Sequence, residues 1–340
     1  MELRALGRTG VQVSELCFGA MMLGGWGNTD RGECLRIVHR ALDAGINFID
    51  TADVYGQGES EEIVGEALKG RRDQVVLATK VNHQMGEGAN RRGNSRRWIV
   101  QAVEDSLRRL STDWIDLYQL HRPDPTCDVE ESLGALTDLV RQGKIRYLGS
   151  STFPAHEIVE AQWASERRGL ERFVCEQPPY SILVRGIEED VLPVCRGYGM
   201  GVITWSPLCG GWLAGGYRKG SELPTSWRQG LVPQRYDMSI PGNQAKLEAA
   251  EQLAALAEGA GLTLIQVALG FVLEHPTVTS AIIGQRTMEQ LETNLAGAGV
   301  RLDRALLDRI DEIVAPGTTF TTVDVGWSPP ALAAAARRRA

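Results

Sequence analysis

Eight short apolar runs, each followed by an amphipathic stretch, set the strongest limit on what this 340-residue chain can fold into. The runs are "LCFG" ending at Gly19, "INFID" at Asp50, "VVLATK" at Lys80, "IDLYQLH" at His121, "IRYLGSS" at Ser151, "FVCEQ" at Gln177, "GVITWS" around Trp205 and "TSAIIG" at Gly284. Each has the length of a strand and is apolar enough to be buried on both faces. Helix signals lie between them. Asp30 with Glu33, and Asp128 with Glu131, are spaced as capping boxes; Gly45 and Gly143 stand where helices terminate, and Pro154 suits a first helical turn. Only the gap from Trp205 to Gly284 is long, and it holds the Gly/Pro-rich loop "GGYRKGSELPTSWRQGLVPQRYDMSIPGN" and a helix pattern near 244–260. Eight consecutive strand-helix units predict an α/β fold of one domain: a closed (β/α)8 TIM barrel over residues 1–315, with an N-terminal β-hairpin, an insertion after strand seven and a tail over 316–340. An open doubly wound sheet is the alternative, but no G-x-G-x-x-G follows the first strand and there is no P-loop. The low-complexity "ALAAAARRRA" reads as a frayed terminus.

A net charge of −7, from 36 basic and 43 acidic residues, argues against nucleic acid as a partner. No window approaches 18 uncharged apolar residues, so no membrane association is expected, and "MELRALGRTG" has no apolar signal core. The six cysteines are scattered without a Cys-x-x-Cys pair. They read as reduced thiols in a cytoplasmic protein, with neither a disulfide framework nor a metal site. Among the 36 basic residues only Lys69, Lys80, Lys144, Lys219 and Lys246 are lysine. A lysine placed directly after "VVLAT" therefore looks selected for something arginine cannot do.

In such a barrel the active site is built at the C-terminal strand ends. Those ends carry Asp50, Lys80, His121, Ser151, Gln177 and Trp205-Ser206. Taken singly, each has a plain structural use: Asp50 could begin an Asx-turn, Lys80 could reach solvent, His121 could be a bonded core histidine, and Tyr55 could be loop packing. Gathered on one rim they make chemical sense. A phenol titrates near pH 10 and is a weak acid at neutrality; a neighbouring ammonium favours the phenolate. A carboxylate fixes the ammonium, and an imidazole can orient a substrate oxygen. Such a set delivers a proton to a carbonyl oxygen. The carbon must then accept a nucleophile, and no side chain here suits that role, so a cofactor hydride is the natural candidate.

These residues resemble the aldo-keto reductase superfamily. "INFIDTADVYGQGESEEIVGEAL", "WIDLYQLHRPD", "KIRYLGSSTF", "WSPLCGGWLAGG" and "IIGQRTMEQLETNL" are similar to its motifs, in order, from about residue 4 to 315. The resemblance implies NADP(H)-dependent reduction of an aldehyde or ketone, such as a keto sugar or similar small carbonyl compound. The family's catalytic tetrad then falls on Asp50, Tyr55, Lys80 and His121, with Tyr55 as general acid. It implies that Ser151, Thr152 and Gln177 bind the nicotinamide carboxamide and that Trp205 stacks on its ring. Ser206 and Leu208 would follow in the pyrophosphate loop, and Gly284, Arg286, Gln290 and Asn294 would surround the adenosine 2′-phosphate and adenine. Gln290 also fits a capping box with Thr287, and Asn294 also fits an exposed helix position. Thr152 replaces a usual asparagine, Ala20-Met21 a common Thr-Trp, and Thr293 a frequent glutamate. Trp26, Val54, His83 and Trp212 are candidate pocket walls. Two other readings stand beside this one: a nucleotide-binding regulatory subunit, and a barrel glycosidase using Asp50 and Asp53.

Overall fold

The computed structural model describes residues 1–225, 228–332 and 336. Strands β1 (Leu3–Ala5) and β2 (Gln12–Ser14) form an antiparallel hairpin. The next eight strands are β3 (Leu16–Gly19), β4 (Phe48–Asp50), β5 (Val76–Val81), β6 (Ile115–Leu120), β7 (Ile145–Ser151), β8 (Phe173–Gln177), β9 (Gly201–Thr204) and β10 (Val278–Gly284). They pair in parallel, in chain order, and β10 returns to β3 to close the barrel. The helices are α1 (Arg31–Asp43), α2 (Glu59–Ala67), α3 (Arg96–Leu110), α4 (Val129–Arg141), α5 (Ala155–Arg168), α6 (Val191–Tyr198), α7 (Arg228–Leu231), α8 (Pro241–Gly259), α9 (Leu264–Glu274), α10 (Met288–Leu295) and α11 (Arg304–Ile313). The (β/α)8 barrel, its hairpin and the insertion after the seventh barrel strand are as the sequence pattern predicts.

Strand alternation builds the interior. Phe48, Ala78, Leu117 and Cys175 pack together inside the barrel with Leu6 and Val13 from the hairpin. Residues two positions further along a strand face the same way. Asp50, Lys80, Gln119 and Gln177 therefore form the next layer inside, above an apolar floor. The hairpin closes that floor at the N-terminal strand ends. Gly7 permits this approach: its φ is +56°, and a Cβ there would lie 2.6 Å from the Gly201 nitrogen.

Helix boundaries follow the capping residues. Asp30, Ser95, Asp128, Thr263, Thr287 and Asp303 each accept a first-turn backbone N–H. The Asp128 side chain accepts from the Glu130 N–H, while the Glu131 N–H goes to the Asp128 backbone carbonyl at 3.1 Å. Pro154 sits one position earlier than expected, as the residue preceding α5.

Beyond α11 the chain returns to the top of the barrel. Arg185 N donates to Thr318 O at 2.8 Å, and Asp324 is buried between Lys246 Nζ and Arg235 Nε, each at 2.8 Å. Gly326 then lies so close to Trp205 that a Cβ would meet the indole at 2.7 Å. Most of the alanine- and arginine-rich end, 333–335 and 337–340, lies outside the described residues.

Candidate active site

Lys80 organises the barrel mouth. Its Nζ donates to Asp50 Oδ1 at 2.6 Å, to Thr51 O at 2.7 Å and to Tyr55 Oη at 3.3 Å. Lys80 is 0 % exposed and Asp50 2 %. Burial works to lower the ammonium's pKa, but the Asp50 carboxylate and Tyr55 together outweigh it, and the net shift is upward. The lysine thus keeps its charge in a dry setting, where an isolated ammonium would lose it. Asp50 Oδ2 accepts from Gln119 Nε2 at 3.1 Å and Gln177 Nε2 at 2.8 Å, which fixes the carboxylate from the far side. Gln119 carried no signal in the sequence beyond interrupting an apolar run; its place in the inner layer follows from alternation along β6.

Tyr55 sits on a tight turn after β4, where Gly56 and Gln57 both have positive φ. The turn aims the phenol back over the mouth. The His121 ring meets it edge-on at a centroid separation of 5.9 Å, and His83 packs on His121 at 4.6 Å. Burial, with the charges of Arg122 and Lys80 and the nearby His83, holds His121 well below the ordinary imidazole range. His83 is lowered to about 4, by burial first and then by Arg122 and Lys80. Both rings are neutral at pH 7, and His121 Nδ1 has no partner among the described residues. Trp26 lies 5.8 Å from the Tyr55 ring. Trp26, His83 and the half-buried Val54 therefore border the phenol or lie on its turn. Trp212 does not: it is wholly buried, stacked on Tyr217 at 4.2 Å with Lys246 Nζ over its ring. An aromatic in a long loop reads equally as wall or core, and here it anchors the insertion.

Asp50 and Asp53 do not form a facing carboxylate pair. Asp53 is buried, with neither oxygen bonded among the described residues, and its carboxyl is raised well above normal by burial and by Glu61. Glu61 itself accepts from Thr79 Oγ1 at 2.6 Å and Arg109 Nε at 2.7 Å. Asp50 is committed to the lysine and two glutamines. A glycosidase needs two carboxyls flanking one bond, and this arrangement lacks them.

The remaining rim residues fall into two groups. Ser151, Thr152, Gln177 and Trp205 are bound to one another: Ser151 Oγ donates to Gln177 O at 2.9 Å, and Trp205 Nε1 to Thr152 Oγ1 at 3.3 Å. Beside them Ser206, at φ +58°, accepts from Gly210 N at 2.9 Å, and Leu208 is half-buried. On the neighbouring strand β10, Gly284 is exposed with open space where a Cβ would stand, and Arg286 beyond it is exposed. Gln290 Oε1 accepts from Arg286 N at 2.8 Å, so this side chain shapes the turn into α10. Asn294 is 3 % exposed, not an exposed helix position.

This second group fits a phosphorylated nucleotide. Arg228 is pushed below its ordinary pKa by burial, and by Arg235 and Arg286, which gather near it in an acidic protein. Gln285 is fully buried next to Gly284, and neither of its amide atoms is bonded among the described residues. Clustered guanidiniums, an open glycine edge and the N-terminus of α10 suit an anion. The sequence flagged the insertion but not Arg228 or Arg235 within it, because one arginine among so many carries no pattern.

The family model for the aldo/keto reductase family matches residues 15–315. The uncharacterized oxidoreductase YrpG of Bacillus subtilis is 39 % identical, over 92 % of this chain and 96 % of its own length. A probable voltage-gated potassium channel subunit beta of Arabidopsis thaliana is 34 % identical over 92 % and 97 %. Aldo-keto reductase YhdN of Bacillus subtilis is 37 % identical over 86 % and 87 %. Nicotinamide cofactors are general to this family. With a lysine-centred barrel mouth and relatives matching along almost its whole length, the chain belongs to the aldo/keto reductase family.

Proposed function

We propose that the protein is an NADPH-dependent reductase of aldehydes and ketones, a keto sugar or similar small carbonyl compound among them, and that Tyr55 is its general acid. The observation that carries this reading is the buried ammonium of Lys80 bridging Asp50 and the Tyr55 phenol. A bound reduced nicotinamide supplies the hydride that the carbonyl carbon accepts. Ser151, Thr152, Gln177 and Trp205 would hold its nicotinamide end; Ser206, Leu208, Gly284, Arg286, Gln290 and Asn294 would hold the rest. Tyr55 gives its proton to the substrate oxygen, Lys80 steadies the charge left on the phenol, and neutral His121 orients that oxygen. Trp26, Val54 and His83 shape the pocket. The six free thiols support a cytoplasmic setting. The test is oxidation of enzyme-bound NADPH in a single turnover with a panel of small carbonyl compounds; no oxidation by any of them would refute the reading.

The name carried by the Arabidopsis thaliana relative favours a second role, as a subunit bound to a channel. A subunit working only by association would bind NADPH and leave it unoxidised in the same experiment.

Cofactor choice gives a sharper outcome. Arg286 stands immediately before Thr287, the N-cap of α10, whose N-terminal N–H groups favour a phosphate. Arg286→Ala is expected to weaken NADPH roughly 10- to 100-fold, the worth of charge-assisted hydrogen bonds, and to leave NADH almost unchanged. The measurement is kcat/KM for both cofactors at one salt concentration, since exposed charge is screened. Equal loss with both cofactors would remove Arg286 from 2′-phosphate recognition.

A further inference from the structure

Glu176 is a fully buried carboxylate that none of the tetrad chemistry uses. It lies on β8 between Cys175 and Gln177. Because Cys175 packs inside the barrel, alternation turns Glu176 outward, into the layer between strands and helices. Its strand partner on β7 is Ser150, whose hydroxyl donates to Oε2. Oε1 accepts from Phe153 N at 3.1 Å. The Thr152 N–H, which bonds Gln177 O at 3.1 Å, also acts on this carboxylate. No ion pair reaches it among the described residues.

These bonds converge on one turn. Thr152 has φ +59°, a left-handed conformation that a β-branched residue adopts only under constraint. Its hydroxyl accepts from Arg122 Nη1 and from Trp205 Nε1, both at 3.3 Å. Ser151 is tied to Gln177 on the other side. The four residues of the nicotinamide group therefore hang on a strained turn, and Glu176 grips it from behind. A glutamine there would keep one oxygen acceptor and add two donors, so it could not satisfy both the Ser150 hydroxyl and the Phe153 N–H in the same way.

We propose that Glu176 is a positioning residue for the nicotinamide end of the cofactor: its ionised carboxylate fixes the Ser151–Phe153 turn in the shape that binds, and binding is linked to that ionisation. The inference rests on the nicotinamide reading given above. Burial lifts this carboxyl from 4.5 to about 7, opposed by Ser150, by the Phe153 and Thr152 N–H groups and by Arg122. The groups that act on it are Arg122 after β6 and Cys195 from α6, while its chain neighbour Cys175 lies on the opposite face of the strand. Burial pushes both thiols upward, so they stay neutral, and Arg122 stays cationic. Glu176 is then the group here that changes charge near neutrality. Above pH 7 it is ionised and the turn is held; below pH 7 it is protonated and the binding-competent fraction falls.

The test compares dissociation constants from tryptophan fluorescence for NADPH and for 2′-phospho-ADP-ribose, which keeps the 2′-phosphate and the pyrophosphate diester but lacks the nicotinamide. The phosphate's own titration cancels in the ratio of the two. From pH 8 to pH 6 that ratio is expected to rise about tenfold in the wild type. Glu176→Gln should give a flat ratio and weaker NADPH binding at pH 8. Ser150→Ala, which removes one bond to the ionised form, should move the midpoint to higher pH. A flat wild-type ratio, a Glu176→Gln protein that keeps the wild-type slope, or an unmoved midpoint in Ser150→Ala would overturn the proposal; the last decides alone if the glutamine variant does not fold. A wild type that binds 2′-phospho-ADP-ribose but not NADPH at any pH would instead overturn the nicotinamide reading, and this inference with it.

Discussion

Tyr55→Phe is expected to lower kcat for carbonyl reduction by about 10²–10⁴ while leaving the NADPH dissociation constant within a few-fold. The phenol is half-buried at the mouth, on a turn that depends on its own backbone and not on the hydroxyl. Removing the oxygen deletes the proton donor and one acceptor of Lys80 Nζ; Asp50 and Thr51 still hold the ammonium. The residues proposed above to hold the cofactor lie at other strand ends, so its binding has no reason to change. The loss belongs to the transition state, so it should fall on kcat and kcat/KM together. Single-turnover rates with one good aldehyde substrate suffice. A variant that keeps half the wild-type kcat would place the proton elsewhere.

Lys80→Met is the second large effect, and it separates chemistry from scaffolding. The substitution leaves the Asp50 carboxylate buried without its cation, a change that costs about 3–5 kcal/mol in comparable buried pairs. Turnover should collapse, and denaturant unfolding should shift to lower concentration. Adding Asp50→Asn removes the uncompensated charge, so the double variant should regain much of the stability and none of the activity. Lys80→Arg should not restore turnover, because the guanidinium fork cannot occupy the space between Asp50, Thr51 and Tyr55. Full activity in the arginine variant, or unchanged stability in Lys80→Met, would contradict the arrangement described. The sign of the pH effect follows from the raised lysine pKa. The pair's contribution is complete below the ordinary value of 10.5 and is lost as pH climbs through the higher folded value. Between pH 6 and 9 the stability difference between wild type and Lys80→Met should not vary on account of Lys80.

Strand ends were the most legible part of the sequence. Asp50, Ser151, Gln177 and Gly284 are the final residues of their strands, while Lys80, His121 and Trp205 miss by one. Short apolar runs buried on both faces are bounded sharply by polar residues, and the rim is where those boundaries fall. What stayed hidden is polar and interior. Gln119, Glu61 and Glu176 interrupt apolar runs or sit on amphipathic helices, and only the closed barrel shows which face each one takes. Thr79 and Arg109 gain meaning only as partners of Glu61. The candidate wall Trp212 is instead core, because its burial depends on Tyr217, Tyr236 and α8, which the insertion folds back over it. Long-range burial of this kind leaves no local period to read.

The closure of β10 on β3 also has a consequence for synthesis. Leu16 pairs with Ala281, so the first barrel strand leaves the ribosome 265 residues before its last neighbour (281 − 16 = 265). At about 5–20 residues per second this is a wait of roughly 13–53 s. During that interval β3 can pair with β4 on one side only, and its other edge offers unmatched N–H and C=O groups to any strand nearby. Nascent chains halted near residue 270 should therefore bind chaperones or aggregate, whereas chains released after β10 should not. The enzyme's yield in a cell would then depend on how well that single open seam is shielded while the rest of the ring is being made.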